Sequence, residues 1–180
     1  MYPSGCAQRW RDHRLALEDT DPPIWRRLVV PSELTLVELH AVLQLAMGWT
    51  NSHLHAFRVG QARFELPAPE PGWVDGDQDA ADERLARLSE VVSDPKARFS
   101  YEYDFGDSWM HRITVEAIKD AKPSPSDGGF VWVEAGERAC PPDDAGGSGG
   151  YQAFLDQLED DPYGDETKAF QEWAGLDFDP

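Results

Sequence analysis

The chain is predicted to be α+β, a single domain with a largely antiparallel mixed sheet, packed helices and a helical C-terminus. Three observations predict it. Residues 9–30 and 97–118 each hold two alternating segments around a turn, the pattern of a hairpin. One well-signalled helix, at 35–47, follows the first hairpin, too few crossovers for a doubly wound parallel sheet. Two further helical patterns close the chain, at about 149–159 and 165–174.

Residues 9–18 place Leu15 and Leu17 inward and Arg14, Ala16 and Glu18 outward, the two-residue period of a half-buried strand. Asp19-Thr20-Asp21-Pro22-Pro23 is turn chemistry, and Ile24 to Val30 forms the second strand, closed by Pro31. Thr35 and Glu38 then make a capping box, with Leu34 and Leu39 spaced as a hydrophobic staple. Leu36, Leu39, His40, Leu43 and Met47 share one helical face, with Val42 and Leu45 beside it, and Gly48 supplies the stop. His53 to Val59 reads as a strand with His53, His55, Phe57 and Val59 on one face, and residues 63–66 as a short partner. Pro67 to Asp82 reads as an exposed loop, and Leu85, Leu88 and Val92 predict a short helix over 83–92.

In the second hairpin Phe99, Tyr101, Tyr103 and Phe105 alternate with polar residues, as do Trp109, His111, Ile113 and Val115. Two registers are open. A two-residue Gly106-Asp107 loop sets Asp104 opposite Trp109 and Glu102 opposite His111, an acid–base pairing. A three-residue loop sets Phe105 opposite Trp109 and Tyr103 opposite His111, an aromatic row that buries more apolar area and is the expected one. Residues 120–129 read as a loop, 130–134 as a strand, and 140–150 as a turn-rich run.

With 180 residues and 41% hydrophobic content, the chain is long enough to bury roughly 70% of its extended surface. Residues 9–178 are assigned to the domain and residues 1–8 to a frayed N-terminus. No apolar run approaches the roughly 18 residues of a membrane span, and the first residues lack the pattern of a secretory signal. Two distant cysteines, Cys6 and Cys140, fit no zinc spacing or disulfide framework, so the expected compartment is the cytoplasm. The net charge of −18 arises entirely beyond residue 60, which argues against nucleic acid and anionic membranes as partners.

Several strings now stand together: Pro23-Ile24-Trp25-Arg26-Arg27, Gly48-Trp49, His53-Leu54-His55-Ala56-Phe57, Tyr101-Glu102-Tyr103-Asp104-Phe105-Gly106-Asp107-Ser108-Trp109-Met110-His111, and the run from Cys140 to Gly147. In these the chain resembles the Ri-plasmid ORF-3-like family over about residues 9–178. The resemblance implies a mixed sheet with packed helices and no particular reaction. It departs where similar sequences read Pro-Pro-Glu-Asp and this one has Pro141-Pro142-Asp143-Asp144. Some members are labelled resolvase-type passenger proteins of an insertion sequence, which implies a DNA-processing accessory role in a mobile element. The acidic excess and the lack of a basic recognition helix argue against recombination.

The candidate polar site comprises His40, His53, His55, Asp104, Asp107, His111, Cys140, Asp143 and Asp144. His53, His55 and His111 are the candidate ligands of a divalent metal, because imidazoles with carboxylates suit zinc, manganese or iron. No motif calls for another cofactor. The bland expectation for His40 is a core histidine bonded to a carbonyl, and for Asp104 and Asp107 the pinning of a turn. The glycines at 146–150 precede a helix but lack the lysine of a phosphate loop. Cys140 has no neighbouring base to activate it. Trp25, Trp49, Tyr101, Tyr103 and Trp109 are either core or an aromatic groove. The favoured function is a binding or accessory module for a protein or peptide partner, basic if surface charge guides it. The alternative is a metal-dependent hydrolase-like enzyme using the His/Asp cluster.

Overall fold

The computed structural model describes residues 9–67, 79–120, 131–175, 178 and 180. The expected frayed terminus at 1–8, most of the 67–82 loop, the 120–129 loop beyond its first residue and the first residue of the 130–134 strand lie outside the described residues. The strands are β1 (Trp10–Leu17), β2 (Trp25–Pro31), β3 (His55–Val59), β4 (Ala62–Glu65), β5 (Ala81–Asp82), β6 (Arg98–Tyr103), β7 (Trp109–Lys119) and β8 (Trp132–Glu137). They form one sheet in the order β5-β4-β3-β6-β7-β1-β2-β8. Neighbours are antiparallel except the short parallel β4–β5 contact. The helices are α1 (Leu36–Met47), α2 (Leu88–Val91), α3 (Gly147–Asp160) and α4 (Asp165–Ala174).

The helix α1 is bounded as its sequence dictates. The side chain of Thr35 accepts from Glu38 N and Glu38 reaches back to Thr35 N, while Gly48 closes the helix in the left-handed region at φ 76°. Its buried stripe lies on the sheet face that carries Phe57, Tyr101, Tyr103, Trp109, Ile113, Leu15 and Leu28, and these residues form the core. Burying each large side chain contributes roughly 1.5–3 kcal/mol. The other sheet face carries paired charges. Arg27 meets Glu116, Arg58 and Arg63 meet Glu102, and Arg112 meets Glu18. The Arg14 guanidinium lies 4.2 Å above the Trp25 ring on this face. The C-terminal helices join through Phe154 stacked on Phe170 at 3.6 Å.

Four boundaries differ from the sequence expectation. The predicted helix over 83–92 shrinks to four residues and Leu85 is exposed, because the preceding residues instead form β5 and a turn. His53 stands in a bend ahead of β3 rather than in the strand. The last strand runs to Glu137 and contains Gly136, where a Cβ would meet Trp25 O at 2.9 Å. Helix α3 begins at Gly147, at φ 67°, where a Cβ would stand 2.2 Å from Asp107 O.

Candidate functional site

The 104–108 hairpin loop has five residues, so Tyr103 pairs with Trp109 and Tyr101 with His111. Neither expected register is correct, but the aromatic row does face the core, as the longer loop implied. The aromatic groove is therefore a core feature. Trp49, Tyr101, Tyr103 and Trp109 are buried, with Trp49 stacked 4.9 Å from Tyr103, and only Trp25 lies on the opposite, polar face. The apolar area of these rings outweighs any exposed arrangement.

The polar residues divide into two groups and a remainder. The first group stands where β3 begins and β6 ends. Asp104 Oδ1 accepts from Gly106 N at 2.9 Å, and its Oδ2 lies 3.6 Å from His53 Nδ1. Across the same ring, Asp144 Oδ1 lies 3.1 Å from Nε2, without the alignment of a hydrogen bond. The 140–144 segment is held here by Trp49 Nε1 donating to Pro141 O at 2.8 Å and by Thr50, whose N and Oγ1 donate to Asp143 Oδ2. Tyr103 OH accepts from Ser52 N at 3.0 Å. Burial raises the Tyr103 phenol, and Asp143 and Asp104 raise it further.

The second group is buried apart from Asn51, which stands at the surface. His40 Nε2 donates to Asn51 Oδ1 and its Nδ1 accepts from Tyr101 OH, each at 2.8 Å. Tyr101 OH accepts from Gln44 Nε2, and Gln44 Oε1 accepts from Asn51 N. The ring of bonds closes on itself with every member satisfied and His40 neutral. Burial, aided by His55, pushes His40 down to about 4. His55 points instead to Glu83, whose two oxygens lie 3.0 Å from Nε2. Glu83 is fully buried and was missed from sequence, where it reads as one more acid in an acidic stretch.

The remaining candidates serve separate ends. His111 is in the core, its Nδ1 bonded to Trp109 O at 2.9 Å, and burial pushes it to about 4. Asp107 Oδ2 accepts from Gly146 N at 2.9 Å and ties the hairpin turn to the start of α3. Cys140 lies near Arg26 and Met47, and burial lifts its thiol to about 11, away from reactivity. The expected metal set of His53, His55 and His111 does not gather, because His55 and His111 are turned to separate buried partners. What does gather is His53 with Asp104 and Asp144, one ligand atom from each lying within 4.8 Å of the others.

An apolar groove lies on the same sheet face, between α1 and the edge strand β8. It encloses about 420 Å³ and is lined by Leu28, Val42, Leu45, Ala46 and Val131 to Val133. Leu45 is 83% exposed and Val133 50%. A second hollow of about 520 Å³ shares Leu45 and Ala46 and continues past Cys140 to Asp143. Sequence reading placed Val42 and Leu45 beside the core stripe of α1, the only signal that pointed here.

Comparison with known proteins agrees with this fold and supplies no reaction. A family described as plasmid pRiA4b ORF-3-like protein matches residues 11–180. The uncharacterized protein y4hQ of Sinorhizobium fredii is 42% identical over 162 residues, covering 90% of this chain and 79% of that protein. A crystal structure of MM3350, a protein of unknown function from Methanosarcina mazei Go1, superposes with a TM-score of 0.81 at 29% identity, covering 96% of this chain and 93% of that one.

Proposed function

This chain belongs to the plasmid pRiA4b ORF-3-like protein family, and from that premise, which carries a fold but no chemistry, we propose that it is a binding module that takes up an extended segment of a basic protein partner along β8. The observation that supports this reading is the apolar groove beside an open sheet edge. β8 pairs with β2 on one side and, among the described residues, with nothing on the other. An added strand gains main-chain hydrogen bonds from such an edge, while alternate side chains enter a neighbouring pocket. Here that pocket is floored by Leu28 and walled by Val42, Leu45, Val131 and Val133. Exposed apolar side chains clustered in this way mark contact sites more often than isolated ones do.

Charge selects the partner. Glu134 and Glu137 stand exposed on β8, Asp143 lines the adjoining hollow, and the chain carries −18 overall. Arg26, which lines the adjoining hollow, is occupied by the carbonyls of Trp25, Glu137 and Arg138. A segment with alternating Val, Leu or Ile between Lys and Arg therefore fits, its encounter accelerated by opposite charge. A DNA-processing role finds no support in this surface.

Selection from a displayed random-peptide library tests the proposal. Binders are expected to alternate apolar residues between basic ones and to lose at least tenfold in affinity against a Leu45→Asp, Val133→Asp double variant. Circular dichroism checks that the variant is folded. A library without enrichment, or binders indifferent to the two substitutions, overturns the reading.

A further inference from the structure

We infer that His53, Asp104 and Asp144 form a binding site for a single divalent transition-metal ion, separate from the β8 groove. Three chain segments supply it: the bend before β3, the turn after β6 and the loop before α3. One ring nitrogen and one oxygen from each carboxylate lie mutually within 4.8 Å, so a modest closing of the three side chains brings them to ligand distances.

The charge balance of the site points the same way. Among the described residues, Asp104 and Asp144 each have only His53 as a basic group within 4 Å. Two carboxylates thus share one imidazole as their only nearby basic group. Asp143 adds a third acid beside them, with its Oδ1 out of contact with solvent and, among the described residues, without a hydrogen-bond partner. His53 Nε2 is likewise shielded and makes no hydrogen bond among the described residues, although Asp144 stands 3.1 Å away. A divalent ion supplies the missing positive charge and gives the ring nitrogen a partner.

The donor set selects the ion. One imidazole and two carboxylates suit zinc or manganese, whereas calcium and magnesium take oxygen ligands alone. Three protein ligands leave at least one position open to water or a bound anion.

The test is calorimetric titration of chelator-treated full-length protein with zinc and with manganese, alongside Asp144→Asn and Asp104→Asn. The second variant retains the oxygen that accepts from Gly106 N. One ion per chain is expected, with at least a 100-fold loss of affinity in each variant and unchanged circular dichroism. Ring-nitrogen NMR shifts are expected to move for His53 and to stay fixed for His111. Absence of stoichiometric uptake overturns the inference. So does uptake that both variants retain, which would place the ion elsewhere.

Discussion

The rings of His40 and His55 lie face to face, 3.5 Å between centroids and parallel to within 1°. Two imidazolium ions do not stack in a buried site at that spacing, because each would oppose the other without water to screen it. The bonding around them resolves the conflict. Asn51, Tyr101 and Gln44 fix His40 as neutral, and the carboxylate of Glu83 is reserved for His55.

Glu83→Leu is therefore expected to cost about 1–3 kcal/mol, since it leaves a buried imidazole without its acceptor. Adding His55→Leu to the same chain should recover at least half of that loss, because the pair then leaves together. Urea denaturation of the two variants measures both numbers. A double variant as unstable as the single one refutes the pairing.

Acid should unfold the protein through three neutral histidines. Burial depresses His40 and His111 to about 4 and His13 to about 3. Each folded-state value lies below the unfolded value near 6.5, so the unfolded chain takes up protons that the folded chain refuses. Stability is full above about pH 6.5 and falls as the pH drops towards 4, on the order of 3 kcal/mol for each histidine. Among the described residues, His13 has no hydrogen-bond partner for either ring nitrogen. His13→Leu should thus be at least as stable as the parent at pH 7 and lose less between pH 6.5 and 4. Thermal melts across that range check both claims.

Much of this architecture is readable in the sequence wherever a period or a cap runs for several residues. The helix of Thr35 to Gly48 is marked at both ends, and the alternation around Tyr101 and Trp109 assigns their faces correctly. Gathering of distant residues is a different matter. His53 and His55 share a strand face on paper, but the strand starts at His55, so the two rings part company. Glu83 follows a two-residue strand, too short to show any period, and nothing nearby distinguishes a buried acid from a solvated one. The groove at Leu45 arises from the meeting of α1 with a strand almost 90 residues away in sequence, a relation no local pattern encodes.

Helix α1 should respond to its cap alone. Thr35→Ala removes the acceptor for Glu38 N and is expected to cost about 1 kcal/mol, while Thr35→Ser costs a few tenths at most. Chemical denaturation of the pair distinguishes loss of the hydroxyl from loss of the methyl group.

Two glycines of α3 should answer oppositely. Gly147→Ala forces a Cβ onto Asp107 O in a left-handed backbone and is expected to cost more than about 2 kcal/mol. Gly149 has nothing within 4 Å of the same position, so Gly149→Ala should be neutral or stabilise by about 0.5–1 kcal/mol. Melting temperatures of the two variants provide the comparison.

The strand order has a consequence for synthesis on the ribosome. β1 leaves the exit tunnel early, yet its partner on one side, β7, ends only at Lys119. Until then the nascent hairpin of β1 and β2 carries an unfilled flank, with Leu15 and Leu17 still lacking their neighbours. Such an interval invites pairing with other emerging chains, so slower translation after the first hairpin should raise aggregation rather than relieve it.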